Sequence, residues 1–337
     1  MAQPTDRRLA ALLASLLLAG ASPALAHDYP LGALPPPSTA DLRLLAHAID
    51  IHAHLDPDSF GPHSVQAQRA LDVIDMARKA KQAGMHGFVV KQHYDQTAGI
   101  AYLANKVVPG IEVFGQLCLN LTVGGLNPAA IYHFAEVKGG RARIVSMPTW
   151  DSQANVGASN NPDRPFVPVS RDGVLLPETK AAIAAVAAAK VRDSDASLAL
   201  ATGHILPAEA LLVIREARRQ GIERIVATHA IGHPVNMTLD QMKEAANLGA
   251  YIEFVAGFLI GGRATFTVEQ YRDAIRAIGS KHIILSSDGG QVGRATPEGL
   301  LAMAAGRLHD MGISEADLRT MMVDNPARLL GLDAGAR

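Results

Sequence analysis

Short apolar runs alternate with longer segments of helical periodicity along most of the chain, and this alternation restricts the fold more than any other feature. The apolar runs predict eight strands: Ala48–His52, Gly87–Lys91, Glu112–Leu117, Ala142–Met147, Ser197–Thr202, Arg224–Thr228, Tyr251–Val255 and His282–Ser286. The intervening segments predict helices over Ser64–Gln82, Glu178–Arg192, Pro207–Gln220, Leu239–Asn247, Val268–Ile278, Pro297–Met311 and Ser314–Val323. Strands that alternate with helices in this number predict a (β/α)8 TIM barrel of the α/β class, with extra helices at the carboxyl end.

An open, doubly wound sheet is the competing architecture. Such a sheet carries a glycine-rich phosphate-binding turn after its first strand, whereas here the first strand ends in His52-Ala53-His54. The barrel is therefore favoured. A long polar connection, residues 150–177, follows the fourth strand and contains a hairpin signal around Arg171-Asp172-Gly173. Its position predicts a lid or specificity loop, and a tolerated surface insertion is the alternative.

The beginning of the chain has the pattern of a secretory signal. Arg7 and Arg8 precede the apolar run Leu9–Gly20, and Ala24-Leu25-Ala26 is a small-residue cleavage site. We expect export to the periplasm or beyond, with the Sec and twin-arginine routes both open. The predicted organisation is a signal peptide over residues 1–26, a leader over 27–47, a barrel over 48–332 and a tail over 333–337.

Composition excludes several classes of partner. The chain has 31 Lys and Arg against 32 Asp and Glu, without a basic run of the kind that binds nucleic acid. After signal cleavage no apolar stretch is long enough to span a membrane. Cys118 is the single cysteine, so an intrachain disulfide is impossible. We therefore expect a small-molecule substrate, and the sequence leaves homo-oligomerisation open.

Histidine and aspartate side chains follow several of the predicted strands. His52 and His54 are two residues apart, so they point the same way from a strand, and Lys91 and His93 share this spacing on the second strand. Further polar residues follow the fifth, sixth and eighth strands: His204, His229, His233 and Asp288. Because the carboxyl ends of barrel strands meet at one mouth, these side chains are expected to converge there.

Imidazoles together with one carboxylate are suitable ligands for Zn²⁺ or a similar divalent ion, with one position left for water. Such an ion lowers the pKa of bound water from about 15.7 towards 7, which makes hydroxide available at neutral pH. Asp288 is suited to accept the proton of this water. A histidine that does not bind the ion is suited to stabilise a developing oxyanion.

These motifs resemble the amidohydrolase superfamily of metal-dependent barrel hydrolases. The resemblance extends over residues 49–332 and rests on four motifs: Ile49-Asp50-Ile51-His52-Ala53-His54, the pair His204 and His229, Ser287-Asp288-Gly289, and the terminal Asn325–Leu332 segment. The Gly87–His93 run and the Gly124–Pro128 loop are similar to a poorly characterised branch of predicted metal hydrolases.

The resemblance implies roles for five residues. His52 and His54 would be first-strand metal ligands, and His204 would be the fifth-strand ligand. His229 would be a ligand or a stabiliser of the transition state, and Asp288 would be both a ligand and the proton shuttle.

The resemblance leaves the number of metal ions open. Members with two ions usually bridge them with a Lys, Glu or Cys on the fourth strand, or on the third in some branches. The segment Val145–Asp151 contains none of these. One ion, with zinc preferred, is therefore favoured unless Lys91, Cys118 or Asp151 takes the bridging position.

Other residues are candidates for contacts with substrate. Lys91 is predicted to be catalytic, either carbamylated or bound to a substrate carboxylate, and its alternative is an ion pair with Asp50 or Asp288. His93 is predicted to contact substrate or to add a ligand. The remaining candidates at the mouth are His233, Trp150, Glu253, Arg263 and Arg294.

Hydrolysis of an amide, lactam, ester or lactone by metal-bound hydroxide is the leading functional hypothesis. A single-metal, non-oxidative decarboxylase and a phosphoesterase are the alternatives within the superfamily. A periplasmic metal-binding protein without activity is the non-enzyme alternative. It predicts a missing ligand, and none of the five core positions is missing.

Overall fold

A computed structural model describes residues 36–59, 68–262 and 264–332. The predicted signal peptide, the first part of the leader, the tail and Arg263 lie outside these residues. Within the described part of the chain, no helix combines the length and the apolar character that crossing a bilayer requires.

Eight parallel strands form the centre of the protein, and each pairs with the next in chain order. They are β1 (Ile49–Ala53), β2 (Gly87–Val90), β3 (Glu112–Cys118), β4 (Ala142–Ser146), β5 (Ala199–Ala201), β6 (Ile225–Ala227), β7 (Tyr251–Val255) and β8 (Ile283–Ser286). A bridge between Ala53 and Gly289 joins the ends of β1 and β8, and the His54 N–H donates to the Gly289 carbonyl at 2.9 Å. The predicted (β/α)8 barrel is confirmed.

Helices connect the strands and cover their outer faces. They are α1 (Thr39–Arg43), α2 (Val73–Gln82), α3 (Ala98–Val107), α4 (Pro128–Ala135), α5 (Gln153–Gly157), α6 (Pro177–Ala188), α7 (Pro207–Arg219), α8 (Leu239–Asn247), α9 (Val268–Ile278), α10 (Pro297–Asp310), α11 (Glu315–Arg319) and α12 (Asn325–Leu330). Local sequence explains where several of them begin. Proline, which lacks an N–H, occupies the first turn of α6, α7 and α10, and Thr238 and Thr267 form capping boxes at α8 and α9.

Three predicted helices differ from the structure. α2 begins at Val73 because the Asp72 side chain caps it, accepting from the Asp75 N–H at 2.8 Å, so the prediction was wrong for residues 68–72. The helix predicted over Glu178–Arg192 ends at Ala188, so the prediction was wrong for residues 189–192. The final predicted helix, Ser314–Val323, is divided into α11 and a π-helical turn over Thr320–Asp324. Helices α1, α3, α4, α5 and α12 were not predicted.

A bulge in β1 brings the histidines to the inside of the barrel. Ile49 and Ile51 belong to the apolar cluster within the barrel, so simple alternation would point His52 outward. Between Asp50 and Ala53, however, β1 has one residue more than the paired segment of β2. This extra residue shifts the alternation, and His52 and His54 both point into the mouth.

The predicted hairpin in the connection after β4 is present and short. Ser170–Arg171 pairs with Val174–Leu175, and Asp172 and Gly173 form the turn with φ values of 50° and 76°. Within the connection, Arg164 and Asp151 form a buried ion pair at 2.6 Å. The Asp151 carboxylate also accepts from the Leu121 N–H at 2.9 Å, which ties the connection to the segment after β3. It lies at the carboxyl ends of the strands, beside the candidate site.

Candidate metal centre

Three side chains from the two ends of the sheet converge on one point. The Oδ1 atom of Asp288 lies 3.3 Å from His52 Nε2 and 3.2 Å from His54 Nε2. The three ligand atoms all lie within 4.8 Å of one another, and both histidines are buried. Among the described residues, this is the one group of three or more such side chains that meets this distance.

The other two predicted ligands form a separate pair beside this group. His204 Nε2 and His229 Nε2 are 2.9 Å apart, and the His229 ring lies 5.9 Å from the His52 ring between centroids. All five predicted ligands are therefore brought to the same mouth. They are arranged as a triad, His52, His54 and Asp288, and a histidine pair, His204 and His229.

The Glu253 carboxylate contacts both groups, through the His52 ring of the triad and the backbone N–H of His229 in the pair. Its Oε1 contacts His52 Nδ1 at 3.0 Å and accepts from the Ser286 hydroxyl at 2.6 Å, while its Oε2 accepts from the His229 N–H at 2.8 Å. The side chain is buried on β7, so its predicted role at the mouth in contact with substrate was wrong. An acidic residue inside a predicted strand was the sequence signal for this role, because such a residue needs a buried partner.

Two site residues have backbone conformations that are unusual for residues other than glycine. The φ angles are +22° at His229 and +48° at Asp288. Positive φ values cost non-glycine residues conformational energy and persist where surrounding contacts enforce them. Here the Asp288 N–H donates to the His52 carbonyl at 3.0 Å, and the His229 N–H donates to Glu253. The backbone is therefore shaped to present these two side chains.

The electrostatics of the site favour a cation. Burial lowers the pKa of His54 and His204 well below the ordinary value, and burial together with the charge of Lys91 lowers that of His229 to about 4. Burial raises the pKa of Asp288, but the charge of His52 and a hydrogen bond from His54 outweigh it and hold this pKa well below its usual range. At neutral pH the centre therefore combines neutral imidazoles at His54, His204 and His229 with an ionised carboxylate at Asp288.

These residues fit a divalent metal ion. A neutral imidazole has one ring nitrogen free to bind a metal, and the Glu253 contact at His52 Nδ1 leaves His52 Nε2 for this purpose. Buried nitrogens also lack a protein partner at Nδ1 of His54, His204 and His229. The donor set of imidazoles with one carboxylate is typical of zinc sites with an open position.

His93 lies next to the centre and is held there by a polar network. Its ring is 5.1 Å from the His54 ring, and its Nδ1 is 2.8 Å from the Thr149 hydroxyl. Asn120 donates to the same hydroxyl at 2.7 Å and to the His93 carbonyl at 2.6 Å. The Trp150 ring packs against His93 in a T-shaped arrangement, with 5.1 Å between centroids, so both side chains lie at the mouth beside the triad.

Lys91 is also buried beside the histidines, with 1% of its surface exposed. It points into the barrel because Val89, two residues earlier on β2, belongs to the interior cluster. Burial lowers the pKa of His93, His204 and His229, and the charge of Lys91 lowers each of them further. In the part of the chain that the structure describes, no ion pair joins it to Asp50 or Asp288, so the alternative of a structural ion pair was wrong.

Three other candidates have different positions. His233 is exposed on the loop after β6. Arg294 donates to the Asp288 carbonyl at 3.3 Å, which supports the loop that carries this ligand. Cys118 is buried in the barrel 3.8 Å from the Gln116 amide, and burial raises the pKa of its thiol.

Comparison with known proteins adds a family and a set of structural neighbours. Residues 47–253 match a family of unknown function, DUF6282. No curated protein matches the chain.

Many solved structures share the fold. An amidohydrolase from Pseudomonas aeruginosa is 15% identical, with a TM-score of 0.56 over 86% of this chain and 97% of that chain. The organophosphorus hydrolase from Deinococcus radiodurans is 16% identical, with a TM-score of 0.56 over 89% and 100%. A mutant PTE-like lactonase from the same organism is 17% identical, with a TM-score of 0.55 over 87% and 98%. The resemblance to the amidohydrolase superfamily is confirmed at the level of the fold.

Proposed function

The chain belongs to DUF6282, a family of unknown function, and we propose that it is a metal-dependent hydrolase of small molecules that cleaves an amide, lactam, ester or lactone bond. The observation that carries this proposal is the convergence of His52 Nε2, His54 Nε2 and Asp288 Oδ1 at the mouth of the barrel. This mouth is the end at which enzymes of the fold bind their substrates. The structural neighbours include an amidohydrolase and a lactonase, and the names of these enzymes agree with this class of reaction.

The triad and the histidine pair would hold the metal, and zinc suits their nitrogen and oxygen donors best. When bound, a divalent ion supplies hydroxide at neutral pH and polarises a carbonyl oxygen. Only neutral imidazoles bind metals, and burial keeps His54 and His204 in this form.

The side chains of the site supply proton transfer and orientation. Asp288 is ionised, and 18% of its side chain is exposed, so it can take a proton from the attacking water and deliver it to the leaving group. Lys91, or His229 if it does not bind metal, would stabilise negative charge on the substrate oxygen. His93 and Trp150 would contact the substrate beside the triad, and His233 would contact it farther from the centre.

Phosphoester hydrolysis is the second candidate. The observation that favours it is the division of the ligands into a triad and a pair, because enzymes of this chemistry commonly use two metal ions. One of the neighbours is named as an organophosphorus hydrolase. Two bound ions per chain would support this candidate, whereas one ion would favour carbonyl chemistry.

Metal analysis of the purified protein, combined with activity screening of apo and reconstituted forms, tests the proposal. The substrates are lactones, esters, amides and phosphotriesters, and released CO₂ identifies a decarboxylase. We expect stoichiometric metal, and activity that is lost on chelation and restored by Zn²⁺.

His52→Asn combined with His54→Asn should abolish both metal binding and activity. His133→Asn, on the exposed face of α4, is the matched control and should change neither. The proposal is wrong if wild type binds no divalent metal, or if the double variant behaves as wild type. Stoichiometric metal without turnover on any substrate would favour the non-enzyme alternative.

Export is a second part of the proposal. The support is in the sequence alone, from the basic Arg7-Arg8 pair, the apolar run Leu9–Gly20 and the Ala24-Leu25-Ala26 cleavage site. A periplasmic or secreted protein would meet its small-molecule substrate outside the cytoplasm.

A further inference from the structure

Three arginines lie at the end of the barrel opposite the metal centre. Arg143 is the second residue of β4, Arg141 immediately precedes this strand, and Arg224 immediately precedes β6. The guanidinium carbons of Arg141 and Arg143 lie 5.7 and 4.8 Å from the centre of the Phe114 ring. Because parallel strands all begin at the same mouth, the three side chains share the amino-terminal opening of the barrel.

The positive charges of these residues are incompletely balanced. Arg141 forms an ion pair with Glu112. Arg224 donates to the Ser197 carbonyl at 3.1 Å, which is a neutral acceptor. Among residues 36–59, 68–262 and 264–332, no carboxylate forms an ion pair with Arg143 or Arg224.

Arg143 is the most constrained member of the group. The residue is 6% exposed, and its guanidinium donates to the carbonyls of Gly140 and Ala142 at 2.6 and 2.8 Å and to the Ser194 hydroxyl at 3.3 Å. All three acceptors are neutral, and its buried Nε has no partner. The charge of Glu112 raises the pKa of Arg143, but the ion pair of Glu112 is with Arg141. A buried charge without an ion-pair partner of its own is costly, because little Coulomb attraction offsets its desolvation.

The other two arginines add to this cost. Burial, followed by the charges of Arg141 and Arg224, lowers the pKa of Arg143 to about 10. Repulsion of this kind inside a folded protein is relieved by an anion placed between the guanidinium groups. The group is also accessible from outside, since 22% of the Arg141 side chain is exposed and Arg224 is half-buried.

We propose that the amino-terminal mouth of the barrel binds a small oxyanion, phosphate or a phosphate-bearing molecule, between Arg141, Arg143 and Arg224. Planar guanidinium groups bind the oxygens of phosphate in a bidentate manner, which gives arginine clusters their preference for this chemistry. The proposal does not depend on the hydrolase activity, because the strands separate this mouth from the triad. A bound oxyanion would stabilise the amino-terminal end of the barrel, where the three arginine charges repel one another.

Titration calorimetry with inorganic phosphate, at constant ionic strength against chloride, tests this site on the full-length, metal-loaded protein. We expect one phosphate bound per chain and a rise in melting temperature with phosphate concentration. Arg224→Gln should weaken this binding about tenfold or more, because it removes a charged donor. Arg141→Gln should also weaken phosphate binding, and it serves as a second variant if Arg224→Gln does not fold.

Two controls separate this site from other places where phosphate could bind. Arg215→Gln removes an exposed arginine that pairs with Glu244 on the outside of the barrel, and it should leave the affinity unchanged. His52→Asn disturbs the metal centre and should also leave it unchanged. Phosphate binding that survives Arg224→Gln and Arg141→Gln, or that is lost in His52→Asn, would overturn the proposal.

Discussion

Replacement of Glu253 by glutamine is the sharpest test of how the metal centre is built. The carboxylate makes three contacts, to the His52 ring, the Ser286 hydroxyl and the His229 N–H. A glutamine oxygen can keep the first two. Its NH₂ group then faces the His229 N–H, so two donors oppose each other and the negative charge beneath His52 is lost.

The size of the effect follows from these contacts. Loss of a partner that orients a metal ligand typically lowers metal affinity 10–100-fold, which is about 1.4–2.8 kcal/mol. The unsatisfied, buried N–H of His229 should lower the stability of the metal-free protein by about 1–3 kcal/mol. We therefore expect Glu253→Gln to fold, to bind metal one to two orders of magnitude more weakly, and to melt at a lower temperature.

Competition with a chromophoric chelator measures the metal affinity, and thermal unfolding of the apo protein measures the stability. Glu209→Gln is the matched control. This buried carboxylate also accepts from a hydroxyl, of Ser170, and from a backbone N–H, of Leu206, and it hydrogen-bonds to no histidine in the described part of the chain. It should lower stability without lowering metal affinity. The reasoning is refuted if Glu253→Gln binds metal within twofold of wild type, or if Glu209→Gln weakens binding equally.

Three other predictions concern pH, proton transfer and export. The folded pKa of His229 is about 4, below its ordinary 6.5, so the unfolded chain binds more protons between these values and the apo protein loses stability as pH falls through this window. This residue alone accounts for about 3 kcal/mol, and flat unfolding free energies from pH 7 to 4 would contradict it. Asp288→Asn should lower kcat about 10²–10⁴-fold at saturating metal, and a loss below tenfold would exclude Asp288 as the proton shuttle. Edman sequencing of the exported protein should start at His27, and an intact Met1 would show that no signal peptide is removed.

Much of the barrel could be predicted because its periodicity is local. All eight strand predictions agree with the structure to within two residues at each end, and the prediction of Tyr251–Val255 is correct at both ends. The first residue of a helix was harder to predict where the apolar pattern continues past a capping residue. The predicted helix Ser64–Gln82 includes Asp72, whereas in the structure Asp72 caps α2, which begins at Val73. The short helices α1 and α5 span too few turns to show a clear helical period.

The sequence predicted which residues form the site, but it did not predict how they are arranged. The histidines and Asp288 were identified because they follow strands whose ends must meet. Their division into a triad and a pair depends on side-chain directions across several strands, and spacing along the chain does not contain this information. The same holds for Glu253, which was placed in the mouth and lies beneath it.

By itself, the sequence determined the class of fold, the end of the barrel that carries the chemistry and the residue types gathered there. These properties follow from periodicity and strand order, which are encoded locally. Tertiary structure alone decided which way each side chain points and what lies against it. The bulge in β1 turns His52 inward, Glu253 joins two strands beneath the ligands, and three arginines from distant segments share the opposite mouth. Such contacts arise only when the sheet closes, because closure is what brings residues hundreds of positions apart within hydrogen-bond distance.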